Sequence, residues 1–472
     1  MIDNFKTSSV KALENKKLTN VLRTSTDRFR LARKNAIEQV ENWEELRAAA
    51  REIKKEVIDN LDKYLVQLEE SVKRVGGEVH WARDAHEASK IIIDIAKENG
   101  VKRVVKSKSM ATEEIELNSE FSHNGIKSVE TDLGEYILQI SNDHPFHIIT
   151  PAIHKTKDDI ARLFSEKFNI PKYDDPQKIT DFARSKLRDE FLSADMGVSG
   201  VNFAVAETGT IVIVENEGNA RLSTTVPKIH VALMGIEKIV PEFGHLSIFL
   251  SLLARSATGQ GSSTYVSLIT GPKRKGDIDG PFQFHLVLLD NGRSDILKSD
   301  ELRESLYCIR CGACLNICPV YRQVGGHSYS NVYSGPIGAI ITPQLESSKE
   351  KKDLPFASSL CGACKDVCPV KINFPHVLLS LRNKIKSKES SAISKFEKLN
   401  FVIWKLITKN PKLYNLFNNI AAILQKLFKK DEKLQKLPYP FSNWTKERDF
   451  PVIADIPFRK RWENIKKVYL ND

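Results

Sequence analysis

All seven cysteines of this 472-residue chain lie in one short segment, in two runs that each end in Cys-Pro. The first run is Cys308-x2-Cys311-x2-Cys314-x3-Cys318-Pro319, and the second is Cys361-x2-Cys364-x3-Cys368-Pro369. Two intervening residues let a chain curl around a metal cluster and deliver three sulfurs, while the fourth cysteine points toward another cluster. The first run has the full spacing of a [4Fe–4S] ferredoxin loop, so the sequence predicts two iron–sulfur clusters and one-electron transfer.

Loops of this kind exchange ligands, and the exchange leaves the second cluster one cysteine short. We expect Cys308, Cys311, Cys314 and Cys368 at the first cluster, and Cys318, Cys361 and Cys364 at the second. A full second run would begin with a cysteine at position 358, where the chain has Ser358. Three interpretations stay open: a [3Fe–4S] cluster, a [4Fe–4S] cluster with oxygen or water on one iron, and a ligand from a partner protein.

Other uses of cysteine fit this pattern less well. Zinc sites usually pair C-x2-C knuckles, and four thiolates close one site. Disulfides need an oxidising compartment, and the segment that begins Met1-Ile2-Asp3 has no apolar export signal. We therefore predict a cytoplasmic protein whose thiols are available to iron.

The positive charge of the chain is concentrated at one end. Residues 381–472 hold 21 Lys and Arg against 9 Asp and Glu, although the whole chain has a net charge of only +11. A basic tail could bind nucleic acid, an acidic partner or anionic lipid. The alternative is that its Lys and Arg residues form a solvated helical face. Its aromatic residues do not alternate with Lys as in a stacking platform, so we expect no nucleic-acid binding. No apolar run reaches about 18 residues, so we expect peripheral membrane contact at most.

Residue patterns divide the chain into four segments. Residues 1–77 are predicted to be helical, with an end at Gly76-Gly77. Residues 78–300 alternate β-like runs with helical patterns, which indicates an α/β domain with a mainly parallel sheet. Residues 301–385 hold the cysteine runs, and their long spacer favours a helical ferredoxin domain. Residues 386–472 form a basic helical tail; we expect its apolar stripe to pack in a core, with docking on a membrane surface as the alternative.

Several runs within the α/β domain are predicted to be strands. They are Val101–Val105, His147–Thr150, Val231–Met234, Val266–Ile269 and His285–Leu289. Phe203–Ala206 and Thr210–Val214 flank Thr208-Gly209, which predicts a hairpin.

Four residues of this domain are candidates for substrate binding or catalysis. Lys106 and Lys108 directly follow a predicted strand, where open α/β sheets bind ligands, and could hold a carboxylate or phosphate. Glu207, at the hairpin turn, could act as a general base, and Arg221 could clamp a carboxylate. The alternative for both pairs is an ordinary solvated loop or tight turn. Neither G-x-x-x-x-G-K-[ST] nor G-x-G-x-x-G occurs, so classical nucleotide binding is not supported.

Several of these segments resemble the LUD (lactate utilisation) domain. They are residues 106–110, 130–136, 217–219, 270–272 and 290–293. Together with the cysteine runs and residues 324–329, they resemble the family of iron–sulfur B subunits of the bacterial three-component L-lactate utilisation system. The resemblance implies an α/β LUD domain, similar to the α/β domains of sugar-phosphate isomerases and CoA transferases. An α-helical ferredoxin domain with two iron–sulfur clusters would follow it.

The resemblance also implies a function and partners. The chain would be the electron-transfer subunit of a cytoplasmic complex that oxidises L-lactate to pyruvate and allows growth on L-lactate. Its partners would be a cysteine-rich protein and a smaller protein with its own LUD domain. Two alternatives are kept: the chain binds L-lactate or pyruvate itself, with the open iron of the second cluster as a Lewis acid, or the complex oxidises another 2-hydroxy acid such as glycolate.

Overall fold

The computed structural model describes residues 5–346, 351–388, 395–430, 432–438, 441–445, 448–454 and 456–469. The chain divides into two compact units, Met1–Ile385 and Lys386–Asp472.

The helices before the cysteine runs are α1 Phe5–Glu14, α2 Lys16–Glu38, α3 Trp43–Asp59, α4 Leu61–Arg74, α5 Ala85–Glu98, α6 Met110–Glu114, α7 Leu117–His123, α8 Leu133–Ser141, α9 Lys157–Phe168, α10 Pro176–Leu192, α11 Asn219–Thr225, α12 Leu246–Ala257 and α13 Arg293–Leu297. Within and after the runs come α14 Ala313–Ile317, α15 Tyr321–Val324, α16 Gly335–Leu345, α17 Ala363–Val367 and α18 Phe374–Lys388.

The strands of the first unit form two sheets. They are β1 Glu78–Ala82, β2 Arg103–Lys106, β3 Lys127–Glu130, β4 Met196–Gly200, β5 Phe203–Val205, β6 Thr210–Glu215, β7 Ile229–Gly235, β8 Ile239–Val240, β9 Tyr265–Ile269 and β10 Gln283–Leu289. The larger sheet has the order β1-β10-β7-β4-β2-β3, and the smaller one has the order β8-β5-β6-β9.

Every strand pair of the six-stranded sheet is parallel, which confirms the predicted α/β architecture. In β7, Val231 and Leu233 pack in one apolar cluster with residues of α5. The alternate residues Ala232 and Met234 pack in another cluster with residues of α4. Because both faces of the sheet are covered, its strands are nearly continuous apolar runs, and this is why they could be recognised in the sequence.

The predicted hairpin is also present, in the smaller sheet. Strands β5 and β6 pair antiparallel around Gly209. A Cβ on Gly209, which has φ +70°, would lie 2.6 Å from the backbone of Ser71, so the turn needs glycine both for its left-handed backbone and for the close approach of α4. The run Val266–Ile269 forms a strand as predicted, but it pairs antiparallel with β6 and does not join the parallel sheet.

The predicted strand His147–Thr150 is wrong. This segment has no regular strand or helix structure. Ile148 is instead buried in the apolar cluster that contains six of the cysteines, and the centre of the His147 ring lies 5.8 Å from that of the Tyr321 ring. Burial by packing produces the same apolar run in a sequence as burial in a sheet, so the pattern alone could not separate them.

The described part of the second unit contains three α-helices and three two-residue strands. They are α19 Lys395–Lys409, α20 Pro411–Leu424, β11 Lys429–Lys430, β12 Lys433–Leu434, β13 Phe450–Pro451 and α21 Phe458–Tyr469. The apolar stripe of α19 and α20 is exposed: Phe401 is 63% and Trp404 is 64% accessible. The expected core packing of this stripe is therefore wrong for the described part of the chain. Among the described helices, none has the length and apolar character needed to cross a membrane.

Candidate metal centre

The two cysteine runs fold into loops that each lead into a short helix. Gly312 and Gly362 precede α14 and α17, and both have a left-handed backbone, with φ of 74° and 84°. A residue with a Cβ is disfavoured in this conformation, so the Gly in each Cys-Gly-Ala-Cys sequence lets the chain turn between two cysteines. Six of the seven cysteines are buried, and Cys361 is exposed.

The cysteine thiols gather in two groups that combine residues from both runs. Burial, together with the neighbouring Cys368 thiol, raises the pKa of Cys311 to about 12. Burial likewise raises the pKa of Cys364 to about 12, with Cys318 and Cys361 as the neighbouring thiols. Cys368, at the end of the second run, therefore lies beside the first run, and Cys318 lies beside the second. The exchange of ligands between the two loops stays a prediction from the ferredoxin spacing.

The surroundings of these thiols suit an iron–sulfur cluster. Backbone N–H groups of Arg310 and Ile372 donate to the sulfurs of Cys308 and Cys368 at 3.3 and 3.4 Å. Such donors stabilise anionic sulfur, and hydrogen bonds to sulfur are one of the ways in which a protein tunes a cluster. Six thiols buried in a largely apolar cluster, with Cys361 exposed and with N–H groups directed at sulfur, fit two iron–sulfur clusters.

Cations surround the first group of thiols. Arg310, within the motif itself, is 7% exposed, and the Cys308 thiolate helps to raise the pKa of its guanidinium against the effect of burial. Lys54 of α3 is 2% exposed; burial lowers the pKa of its ammonium to about 7, while Glu237 and Cys308 act in the opposite direction. The Lys54 ammonium donates a hydrogen bond to the Glu237 carbonyl. The protein therefore places positive charge beside these thiols, where it would stabilise anionic sulfur.

The N-terminal helices hold the second cysteine run in place. Arg47 of α3 donates to the Cys368 carbonyl at 3.0 and 2.8 Å and to the Asp366 carbonyl at 2.8 Å. Arg33 of α2 donates to the Val367 carbonyl at 2.9 Å. These carbonyls end the short helix α17, and guanidinium groups are natural partners for unpaired helix-terminal carbonyls. The helical segment at the N-terminus is therefore part of the cysteine site.

The candidate Lys106 lies at the carboxyl end of β2 and is completely buried. Its ammonium contacts Thr112 Oγ1 and Glu113 Oε1 at 2.8 Å and Glu130 Oε1 at 2.7 Å. Burial alone would lower the pKa of Lys106, but the carboxylates of Glu113 and Glu130 outweigh it and raise the pKa above its usual value. Since an ammonium has three N–H donors, the protein already uses all of them. This geometry favours a structural role for Lys106.

Lys108, two residues further along, connects the α/β domain to the cysteine loops. Its ammonium donates to the Ile149 carbonyl. The nearby His147 accepts from the Ile149 N–H at Nδ1 (3.0 Å) and pairs with Asn316 Oδ1 at Nε2 (3.1 Å). Burial first, then the Lys108 charge, lowers the pKa of His147 to about 3. His147 is therefore neutral, with its proton on Nε2, and it supports the loop between Cys314 and Cys318.

The other two candidates lie apart from this loop. Glu207 accepts from the Phe243 N–H at 3.0 Å with its carboxylate, and its carbonyl accepts from Ser71 and Arg74 of α4. Arg221, on α11, lies over the Tyr265 ring at 5.3 Å. The described contacts thus bring Lys106 and Lys108 together at one strand end, but they do not unite Glu207 or Arg221 with them.

Sequence reasoning missed the charged residues that surround the cysteines. Arg33, Arg47 and Lys54 lie in a charged helical segment, where such residues usually indicate a solvated face. Of these charged residues, only Arg310 could have been found from the sequence, because it lies inside the cysteine motif, between Cys308 and Cys311.

Family models match three consecutive parts of the chain. They describe the LUD domain at residues 65–289, a 4Fe-4S dicluster domain at 304–372, and the C-terminal region of lactate utilisation protein B at 380–467. Lactate utilization protein B of Bacillus licheniformis is 46% identical over 98% of this chain and 97% of its own length. This chain belongs to the lactate utilisation protein B family. The family matches confirm both the resemblance seen in the sequence and the predicted order of an α/β LUD domain and a ferredoxin domain.

A second relative agrees with this membership. Lactate utilization protein B of Bacillus subtilis is 46% identical over 97% of this chain and 95% of its own length. The match to a crystal structure of a DUF162 family protein from Deinococcus radiodurans covers 48% of this chain and 98% of that protein, at 13% identity and a TM-score of 0.29.

Proposed function

We propose that this chain is the iron–sulfur electron-transfer subunit of a complex that oxidises L-lactate to pyruvate. The relatives named lactate utilization protein B support the substrate, and the dicluster domain supports the electron-transfer role. The observation that carries the proposal is the grouping of thiols from both cysteine runs. When bound, two clusters would supply one-electron transfer, which suits a substrate that gives up its two electrons to a chain of carriers.

The proposed ligands follow the two groups of thiols. Cys308, Cys311, Cys314 and Cys368 would hold the first cluster, and Cys318, Cys361 and Cys364 the second. Support comes from the neighbouring thiols that act on Cys311, Cys364 and Cys368. The apolar side chains around the loops exclude water from the six buried cysteines, and Arg47 and Arg33 hold the second loop against α3 and α2.

The remaining parts of the proposal concern the complex. Two further lactate-utilisation subunits, a cysteine-rich protein and a smaller LUD-domain protein, would supply and accept electrons. We place the complex in the cytoplasm, with membrane contact at most peripheral through the basic tail. The segment boundaries 77/78, 300/301 and 385/386 are part of the same proposal.

A second candidate is supported by one observation. Cys361 is exposed, and it lines an open cavity with Cys318, Cys364 and Ser358. A substrate oxygen could enter this cavity, which would make the chain a catalytic subunit. Addition of L-lactate to the isolated, cluster-loaded chain would then change its electron paramagnetic resonance spectrum; an unchanged spectrum would leave the electron-transfer role alone.

Growth of a deletion strain on L-lactate as the only carbon source tests the main proposal. We expect growth to be lost on L-lactate and kept on glucose. The wild-type gene and the Ser359→Ala variant, which changes an exposed serine beside the second run, should restore growth. Cys311→Ser should not restore it, although immunoblotting should find the protein. Restoration by Cys311→Ser would contradict the proposal, and selective loss on glycolate would instead indicate another 2-hydroxy acid.

A further inference from the structure

The second cysteine run keeps the backbone of a complete ferredoxin loop, although its first cysteine is missing. Arg310 and Leu360 lie two residues after the first position of each loop, and both have a left-handed backbone, with φ of 59° and 56°. This conformation is uncommon for residues with a Cβ and is especially unfavourable for a bulky side chain such as leucine. Its presence at equivalent positions indicates that both loops are shaped for the same task.

Ser358 occupies the position that Cys308 holds in the first loop. The Arg310 N–H donates to Cys308 Sγ at 3.3 Å, and the Leu360 N–H donates to Ser358 Oγ at 3.2 Å. The donor is in each case the residue two positions after the acceptor. Ser358 Oγ therefore takes the place of a ligating sulfur in the repeat.

Ser358 also lies at the second site. Ser358 lines the same cavity as Cys318, Cys361 and Cys364, the three thiols of the second group. The guanidinium of Arg382 donates to the Ser358 carbonyl at 3.0 Å and to the Pro355 carbonyl at 2.9 Å, which anchors this part of the loop. The cavity has a volume of about 10 Å³, which is enough for about one water molecule beside Ser358.

We propose that Ser358 Oγ is the fourth protein ligand of the second iron–sulfur cluster, which is then a [4Fe–4S] cluster. In this step an Fe–O bond forms, the O–H bond of Ser358 breaks, the proton passes to water in the cavity, and no electron is transferred. Iron lowers the pKa of a bound hydroxyl, as metal ions do for bound water. The Leu360 N–H stabilises the resulting alkoxide. The inference rests on the proposed assignment of the second cluster to Cys318, Cys361 and Cys364.

Spectroscopy of the anaerobically purified, cluster-loaded full chain tests this proposal. Mössbauer spectra of protein containing isotopically enriched iron distinguish three-iron from four-iron clusters. Electron–nuclear double resonance of the reduced protein, in water enriched in a magnetic oxygen isotope, detects a ligand that comes from solvent. The variants are Ser358→Ala and Ser358→Cys, with Ser359→Ala as the matched control because Ser359 is the exposed neighbour that lines the same cavity.

We expect the wild type, Ser359→Ala and Ser358→Cys to hold a four-iron second cluster with no solvent-oxygen coupling. In Ser358→Ala, the second cluster should lose the iron that Ser358 would bind, or that iron should show coupling to solvent oxygen. An unchanged spectrum of the first cluster would show that the variant is folded. Solvent-oxygen coupling in the wild type, or a Ser358→Ala spectrum identical to the wild type, would overturn the role of Ser358. If Cys361→Ser leaves every spectrum unchanged, the assignment of the second cluster to Cys318, Cys361 and Cys364 is wrong. This result differs from the results that would overturn the role of Ser358 alone.

Discussion

The Arg293 guanidinium lies 2.7 Å from the Glu237 carboxylate, and both side chains are only 1% exposed. The same guanidinium pairs with Glu114 at 2.8 Å, and the other Glu237 oxygen lies 3.2 Å from Arg310 in the first cysteine run. A continuous buried network of alternating charges therefore joins the ends of β7 and β10 to the cysteine loop. This contact makes the α/β domain a support for the metal centre.

Replacing Arg293 with methionine should destabilise the first unit strongly. Removal of one partner from a buried ion pair leaves an uncompensated charge, here on Glu114 and Glu237, and costs about 3–5 kcal/mol. The midpoint of urea unfolding of the cluster-loaded protein would measure the effect. Arg83→Met is the control, because the Arg83 side chain is 86% exposed in its pair with Glu87. Equal midpoints for the two variants would contradict the importance of the network.

Arg310→Gln should lower the reduction potential of the first cluster. Reduction adds negative charge beside Cys308, and the buried Arg310 guanidinium stabilises that charge. We expect a decrease of roughly 60 mV, a tenfold change for a one-electron couple. A redox titration followed by electron paramagnetic resonance measures both clusters in one sample, and the second cluster is the internal control. A shift of both clusters by the same amount would argue against a local effect of Arg310.

The second cluster should be lost before the first when the protein is treated with an iron chelator. Cys361 is the exposed cysteine of the chain, and the cavity beside it is open, whereas the first group of thiols is buried. Resonance spectra recorded during the treatment would follow each cluster separately. Loss of both at one rate would mean that global unfolding, and not access at Cys361, limits the release of iron.

Glu130 should make stability decrease as the pH rises from about 4.5 to about 7. Burial raises the pKa of this carboxyl from 4.5 to about 7, with Glu113 adding to the shift and Lys106 opposing it. The folded state then binds a proton that the unfolded state has lost, so the stability present below pH 4.5 disappears as the pH passes the folded pKa. Unfolding midpoints measured across this range should be flatter for Glu130→Gln.

A matched variant separates this effect from general charge effects. Glu98, at the end of α5, is exposed, and Glu98→Gln should keep the wild-type dependence on pH. An unchanged profile for Glu130→Gln would show that another group carries the proton.

Several parts of the fold could be predicted because they depend on local patterns. The apolar runs in β7 and β10 indicated buried strands, and Thr208-Gly209 indicated the hairpin. The run His147–Thr150 had the same apolar character but packs against Tyr321, and the stripe containing Phe401 and Trp404 is exposed. Apolar periodicity shows that a segment has an apolar face, but it does not show which partner covers that face.

The sequence by itself determined the chemistry of the metal centre, because the spacing of cysteines within one loop decides which sulfurs can converge. The tertiary structure decided what surrounds it. Arg47 reaches the Cys368 carbonyl across 321 residues of chain, and Glu237 meets both Arg293 and Arg310. Such contacts depend on how distant elements pack, and no local spacing encodes them. The sequence already placed Ser358 at the position of the missing cysteine, but only the structure showed that its Oγ accepts from the Leu360 N–H as Cys308 Sγ accepts from the Arg310 N–H.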